Sequence, residues 1–161
     1  MKKRFLITGI LLTLFALGSC EEDDVCVGEG TPFLTVVFRN PLNNANAADT
    51  LTVIESKTPD FADSDTIFEK VYTDSIKLPL GGLDNDISYF KIKRRSNSET
   101  DVLQVGYTPK SNFVSKACGF RVTYDGLNYE TTFNQIEYLN PGESNVLEDE
   151  SKTNLYIIYS N

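Results

Sequence analysis

Between Cys118 and Asp125 the chain alternates almost one for one, with Cys118, Phe120, Val122 and Tyr124 on one parity and Arg121, Thr123 and Asp125 on the other. A β-strand sends successive side chains to opposite faces. A period of two therefore demands a strand with one face in a core and the other in water. The first set is expected to point inward and the second outward. From Thr31 onward this period recurs far more often than the 3.6 of an amphipathic helix, and that restricts the chain to β architectures.

Strands are expected at 33–38, 51–55, 66–72, 74–80, 87–95 and 118–125, with others around 103–107, 129–138 and 155–159. Phe33 to Phe38 is apolar on both faces, as in a strand in the middle of a sheet. A tight turn near Thr73-Asp74 is expected to join two of the strands, and Pro109 to end the one through Leu103, Val105 and Tyr107. Within 129–138, Phe133 and Ile136 fall out of phase, which a bulge or a short helical turn would explain. Gly81-Gly82, Asp84-Asn85-Asp86 and Asn140-Pro141-Gly142 read as breaks, and Glu143 to Thr153 as an acidic loop. About nine short strands without an amphipathic helix point to an all-β, antiparallel β-sandwich of immunoglobulin-like type. The alternative is a small closed β-barrel.

The residue inventory narrows the chemistry. There is no His, so the commonest general base and the commonest neutral metal ligand are missing, and a Ser-His-Asp or Cys-His arrangement is impossible within the chain. There is no Trp, the strongest cation–π platform. The acids cluster as Asp60, Asp63 and Asp65, as Asp84 and Asp86, and as Glu148, Asp149 and Glu150. All lie in expected loops, where Asp serves turn geometry, and none has the spacing of a calcium loop. Ser111 and the Ser115-Lys116 pair have no identifiable base. The expectation is no catalytic residue, no metal site and no cofactor. Lys93-Arg94-Arg95 reads as a charged strand end beside the Ser96 to Glu99 turn. Eight tyrosines fall mostly on expected strands, where packing explains them.

The first residues have the layout of an export signal. Lys2, Lys3 and Arg4 precede an apolar run from Phe5 to Leu17, too short at 13 residues to span a bilayer. The run ends in Leu17-Gly18-Ser19-Cys20, which resembles the lipobox of bacterial lipoproteins. That resemblance implies cleavage after Ser19, lipid on Cys20 (palmitate among its chains) and a permanent tie to a membrane. Glu21 to Asp24 is a run of four acids. It is similar to the surface-export signal of lipoproteins from Bacteroidetes-type bacteria, and reads equally as a solvated spacer. The organisation expected is a signal peptide at 1–19, a lipidated tether at 20–25 and one domain at 26–161. Residues 1–19 hold three of the 15 basic residues and no acid, so the remaining 142 carry 12 bases against 23 acids, a formal charge of −11. That balance opposes nucleic acid and any attraction to an anionic membrane surface, and favours solubility or a basic or cationic partner.

With Cys20 lipidated, Cys26 and Cys118 remain. In an oxidising envelope they form either a disulfide, which would close a loop of about 90 residues worth ~4 kcal/mol in loop entropy, or two buried free thiols. If they are bonded, Glu21 to Val25 is the whole tether, and five extended residues reach at most ~18 Å. The domain would then sit close to its membrane.

Cys20 with its acids, Cys26, Thr31-Pro32, the segment Ser75-Ile76-Lys77-Leu78-Pro79-Leu80, and Val114-Ser115-Lys116-Ala117-Cys118-Gly119-Phe120 together resemble a family of Bacteroidetes-type lipoproteins known as a domain of unknown function. The resemblance implies a Cys26–Cys118 pair and a lipoprotein address, and no activity. The expected role is a non-catalytic lipoprotein of the outer membrane, surface-exposed or periplasm-facing. It would bind or assemble with another envelope protein such as an outer-membrane β-barrel. The alternative is a surface module that captures a small molecule or a glycan.

Overall fold

The computed structural model describes residues 25–26, 30–95 and 99–160. Among them nine strands form and no helix: β1 (Leu34–Arg39), β2 (Asp49–Ser56), β3 (Ser64–Thr73), β4 (Ser75–Leu78), β5 (Ile87–Arg94), β6 (Thr100–Ser115), β7 (Gly119–Thr131), β8 (Ile136–Pro141) and β9 (Leu155–Tyr159). They make two sheets, ordered β4-β1-β9-β8 and β3-β2-β5-β6-β7, and neither closes into a barrel. Leu34, Val36 and Phe38 of β1 and Ile157 of β9 face Leu51, Val53, Phe90, Ile92, Leu103 and Val105 across one core. Each of these side chains is fully buried and contributes ~1.5–3 kcal/mol of transfer free energy. The fold is a β-sandwich.

Among the described pairings one is parallel. β1 lies beside β9, from Val36 opposite Leu155 to Arg39 opposite Ile158, and the other pairs are antiparallel. Thr35 N–H donates to Asn154 Oδ1 at 2.9 Å across 119 residues of sequence. This pairing is the departure from a purely antiparallel sandwich. It arises because the chain meets its own early strand from the same side.

The connections explain where expectation and structure differ. Asp74 separates β3 from β4, yet those strands are edges of different sheets, so the turn there carries the chain across the sandwich rather than closing a hairpin. The phase slip in 129–138 has the same origin: β7 ends at Thr131, and the chain crosses to the other sheet before β8 starts at Ile136. Phe133 at the crossing has a positive φ of 55°. Asp101, 1% exposed, organises it by accepting from Thr132 Oγ1 (3.0 Å) and from the N–H groups of Asn134 (2.7 Å), Gln135 (3.0 Å) and Ile136 (3.2 Å).

Pro109 does not end its strand. β6 runs through it to Ser115. β5 stops pairing at Ile87 opposite Gly106, and Tyr107 N–H makes the last bond on that side, to Asp86 O at 2.8 Å. Position 109 points its nitrogen to the same vacated edge, where a missing donor costs nothing. Likewise β8 continues through Asn140 and Pro141 to pair with β9, where a turn was expected.

Both edges of the five-stranded sheet are blunted against strand addition. The outer edge of β7 receives Leu147, which exchanges two hydrogen bonds with Tyr124 (3.0 and 2.8 Å), and Thr31, whose hydroxyl accepts from Val122 N–H at 3.1 Å. Leu147 is fully buried, so the acidic loop before β9 carries a core residue. β3, the opposite edge, has a register shift across from Leu51 to Ile54, and Lys70 there has a positive φ of 52°. Such a bulge discourages strand addition.

Candidate functional site

The end of the sandwich where β2 finishes and β5 begins gathers the features that could act. β6 and β7 run beyond that end as a paired ribbon, from Thr108 opposite Asp125 to Ser115 opposite Gly119. The turn at its tip holds Cys118, which is bonded to Cys26, with 4.9 Å between their Cα atoms and a sequence separation of 92. Cys118 is half-buried in the turn rather than inward on a strand. Its amide donates to Ser115 Oγ at 3.0 Å. Cys20 lies outside the described residues.

The alternation that predicted the face of this ribbon did not predict its cover. Tyr124 is buried, but Phe120, on the same parity, is 71% exposed, because nothing of the facing sheet reaches so far. Phe120 meets its cross-strand neighbour Phe113, 61% exposed, edge to face at 5.4 Å between ring centroids. Thr123, expected outward, is buried, and Asn112 Nδ2 donates to its hydroxyl at 2.6 Å. Lys110 forms an ion pair with Asp125 beside them.

At the base of the ribbon lies an open cleft of about 500 Å³, lined by Glu55, Lys57, Asp63, Asp65, Gly81 and Ser88 among others. Glu55 and Asp65 are cross-strand partners. Burial first, and the repulsion of Asp65 second, hold the Glu55 carboxyl above its ordinary range. Sequence reasoning grouped Asp65 with Asp60 and Asp63 and missed Glu55, because that pairing depends on the β2–β3 register. The floor is hydroxylic. Tyr107 OH lies 2.8 Å from Ser88 Oγ and accepts from Gly81 N–H at 2.8 Å. Position 81 must be Gly, since a Cβ would stand 2.7 Å from that hydroxyl and from Asn85. Burial raises Tyr107 and, more strongly, pushes Tyr124 up to about 12, so both rings stay neutral. The arrangement can attract a cationic group. It offers no nucleophile with an adjacent base.

Asp60 and Asp149 serve their own loops, and Glu150 ties its loop to β4 and to the chain before β1. Asp60 Oδ1 accepts from Thr58 Oγ1 (2.6 Å) and from Ala62 N–H (3.3 Å), which lowers its pKa, the Thr58 bond most. Asp149 is lowered chiefly by Ser151, and Glu150 by Lys77 and then by Phe33 N–H. Among the described residues no three His, Cys, Asp or Glu side chains converge to hold a metal ion. Arg94, the middle of the basic run, is committed. Its Nε donates to Asp49 Oδ2 at 2.8 Å, and its guanidinium lies 4.2 Å from the Tyr159 ring centroid. The tyrosines form no strip, since Tyr107, Tyr124 and Tyr159 are buried while the exposed Tyr72 and Tyr138 sit on different sheets.

The profile of a family of unknown function, DUF6452, matches residues 62–159. The chain belongs to that family. The DUF6452 match runs from the loop before β3 to the last residue of β9, and so contains the β6–β7 ribbon and Cys118 but neither β1 nor Cys26. No curated protein and no solved structure matches the chain.

Proposed function

We propose that this DUF6452 chain is a lipid-anchored envelope protein. Its domain is held against the outer membrane by lipid on Cys20, and it acts by non-catalytic binding or assembly with another envelope protein. The observation that carries this reading is the Cys26–Cys118 bond. It ties the sandwich to a point six residues past Cys20, so the domain has a reach of only ~20 Å from its lipid. Such a tether suits a fixed neighbour in the same membrane, such as a β-barrel, better than capture at a distance. The acid-lined cleft fits a basic segment of that neighbour, in line with the −11 charge after Ser19.

The test has two arms. In cells fed labelled palmitate, the wild-type protein is expected to carry label and fractionate with membranes, and the Cys20→Ala variant to lose both. Unchanged labelling would refute the lipid assignment. Crosslinking in intact cells is expected to recover one envelope protein at stoichiometric yield, whereas recovery of the lipoprotein alone would refute the assembly role. The alternative, capture of a small molecule or glycan, draws on the cleft alone, since the tyrosines do not assemble into a platform.

A further inference from the structure

The lipid tether leaves one question open, namely which part of the domain meets the bilayer. We propose that the tip of the β6–β7 ribbon, with Phe113 and Phe120 as its apolar contacts, seats in the headgroup layer of the membrane that carries Cys20. The inference rests on the lipid reading of Cys20.

Three observations converge on the tip. The first is position. Cys118 lies in the tip turn and is bonded to Cys26, so the chain leading back to Cys20 departs from this point of the domain and no other. The second is apolar exposure where a sandwich has no use for it. Phe113 and Phe120 are 61% and 71% exposed and touch each other. Val25, next to the staple on the tether itself, is 74% exposed. The third is charge. In a chain with a large excess of acids, Lys110 to Arg121 contains Lys110, Lys116 and Arg121 and no acid. Lys110 shares its charge with Asp125, Arg121 acts on Asp149, and Glu21 to Asp24 lie on the tether beside it, so the tip itself is free of the chain's acid excess without being a strong basic patch.

These features together fit a phospholipid surface. Aromatic rings at a basic ribbon tip sit at the boundary of headgroup and acyl chain, and the tether is too short to let the tip leave that boundary for long. A second signal beside lipidation fixes orientation as well as attachment. The opposite end of the sandwich, with Phe133 at 59% exposure, would face away from the membrane.

The chain has no Trp, so a single introduced indole reports its surroundings without background. Full-length lipidated Phe120→Trp and Phe133→Trp proteins, purified from membranes, would be reconstituted into vesicles of phosphatidylethanolamine and phosphatidylglycerol. With Trp at position 120, emission is expected to shift to the blue and to fall by about half when brominated acyl chains replace ordinary ones, because the ring reaches ~5–10 Å into the boundary layer. With Trp at position 133, no change is expected. Both exposed sites accept the larger ring, and a Phe113→Trp protein repeats the test at the facing position. Flotation with the vesicles separates the two readings. Protein that fails to float overturns the lipid anchor and this inference with it. Protein that floats with an unquenched indole at 113 and 120 overturns the seating alone. A blue shift without quenching would assign the tip to a protein or to a second copy, and would likewise overturn the seating while leaving the lipid on Cys20 untouched.

Discussion

Replacing Asp101 by Ala is expected to cost about 3 kcal/mol of stability, and the figure follows from which donors lose their acceptor. The carboxylate takes two donors on each oxygen: Thr132 Oγ1 and Asn134 N–H on Oδ1, Gln135 and Ile136 N–H on Oδ2. Thr132 and Asn134 are exposed, so water can replace the lost partner. Gln135 and Ile136 are 3% and 2% exposed, and their N–H groups would be stranded. Each stranded donor costs ~1–3 kcal/mol, less what is regained by no longer burying a charge. The bonds also hold Phe133 at its positive φ, a conformation worth ~1–3 kcal/mol of strain. A domain of this size has ~5–15 kcal/mol to lose, so the variant still folds. In urea its midpoint should fall by roughly 1–2 M. Asp101→Asn keeps the shape but must aim its NH₂ group at one pair of donors, so about half the loss is expected. An unfolding free energy within ~0.5 kcal/mol of wild type for either variant would refute the hub.

Two further outcomes are expected. Removing the staple with Cys26→Ala plus Cys118→Ala should destabilise the oxidised protein by ~4–5 kcal/mol for a closed loop of this length. Dithiothreitol should bring the wild type to the same value, and an equal deficit with and without reductant would point to packing instead. Glu55 is held above its ordinary 4.5 by burial and then by Asp65. A carboxyl raised in the fold contributes its full stability below the unfolded pKa and loses it as pH rises through the folded one. Glu55→Gln should therefore exceed wild type at about pH 7, by less than ~1 kcal/mol at so open a site. The two should converge below the unfolded value, and a gap that does not change with pH would refute the assignment.

Local pattern carried a good deal of this fold. β9 falls on Leu155–Tyr159, the span expected for it, and β5 is within a residue of its expected span. What stayed hidden depends on partners far away in sequence. Nothing within Leu34–Arg39 states that it will lie parallel to β9. Pro109 looks like a strand end until the loss of β5 as a neighbour is known. Alternation expected Phe120 to point inward, yet it is 71% exposed, because a period of two cannot say whether another sheet covers the face. Leu147 is one apolar residue in an acidic loop, and its burial follows only from the open edge of β7. In the candidate site the Glu55–Asp65 pair needed a register, whereas for Cys26 and Cys118 the count of cysteines left a disulfide or two free thiols open, and the structure bonds them.

The order β4-β1-β9-β8 has a consequence for the time at which this protein can finish folding. β9 is an inner strand of its sheet, so β1 and β4 have no complete sheet to join until Leu155–Tyr159 is present. The other sheet is self-sufficient, with β2 and β3, then β5, β6 and β7, each beside a near neighbour in sequence. A chain threaded across a membrane from its first residue would thus assemble one layer early and keep the other unmade until its last strand emerged. Long-range pairing of this kind is slow. That delay makes the five-residue β9 the latch on which the β4-β1-β9-β8 layer waits.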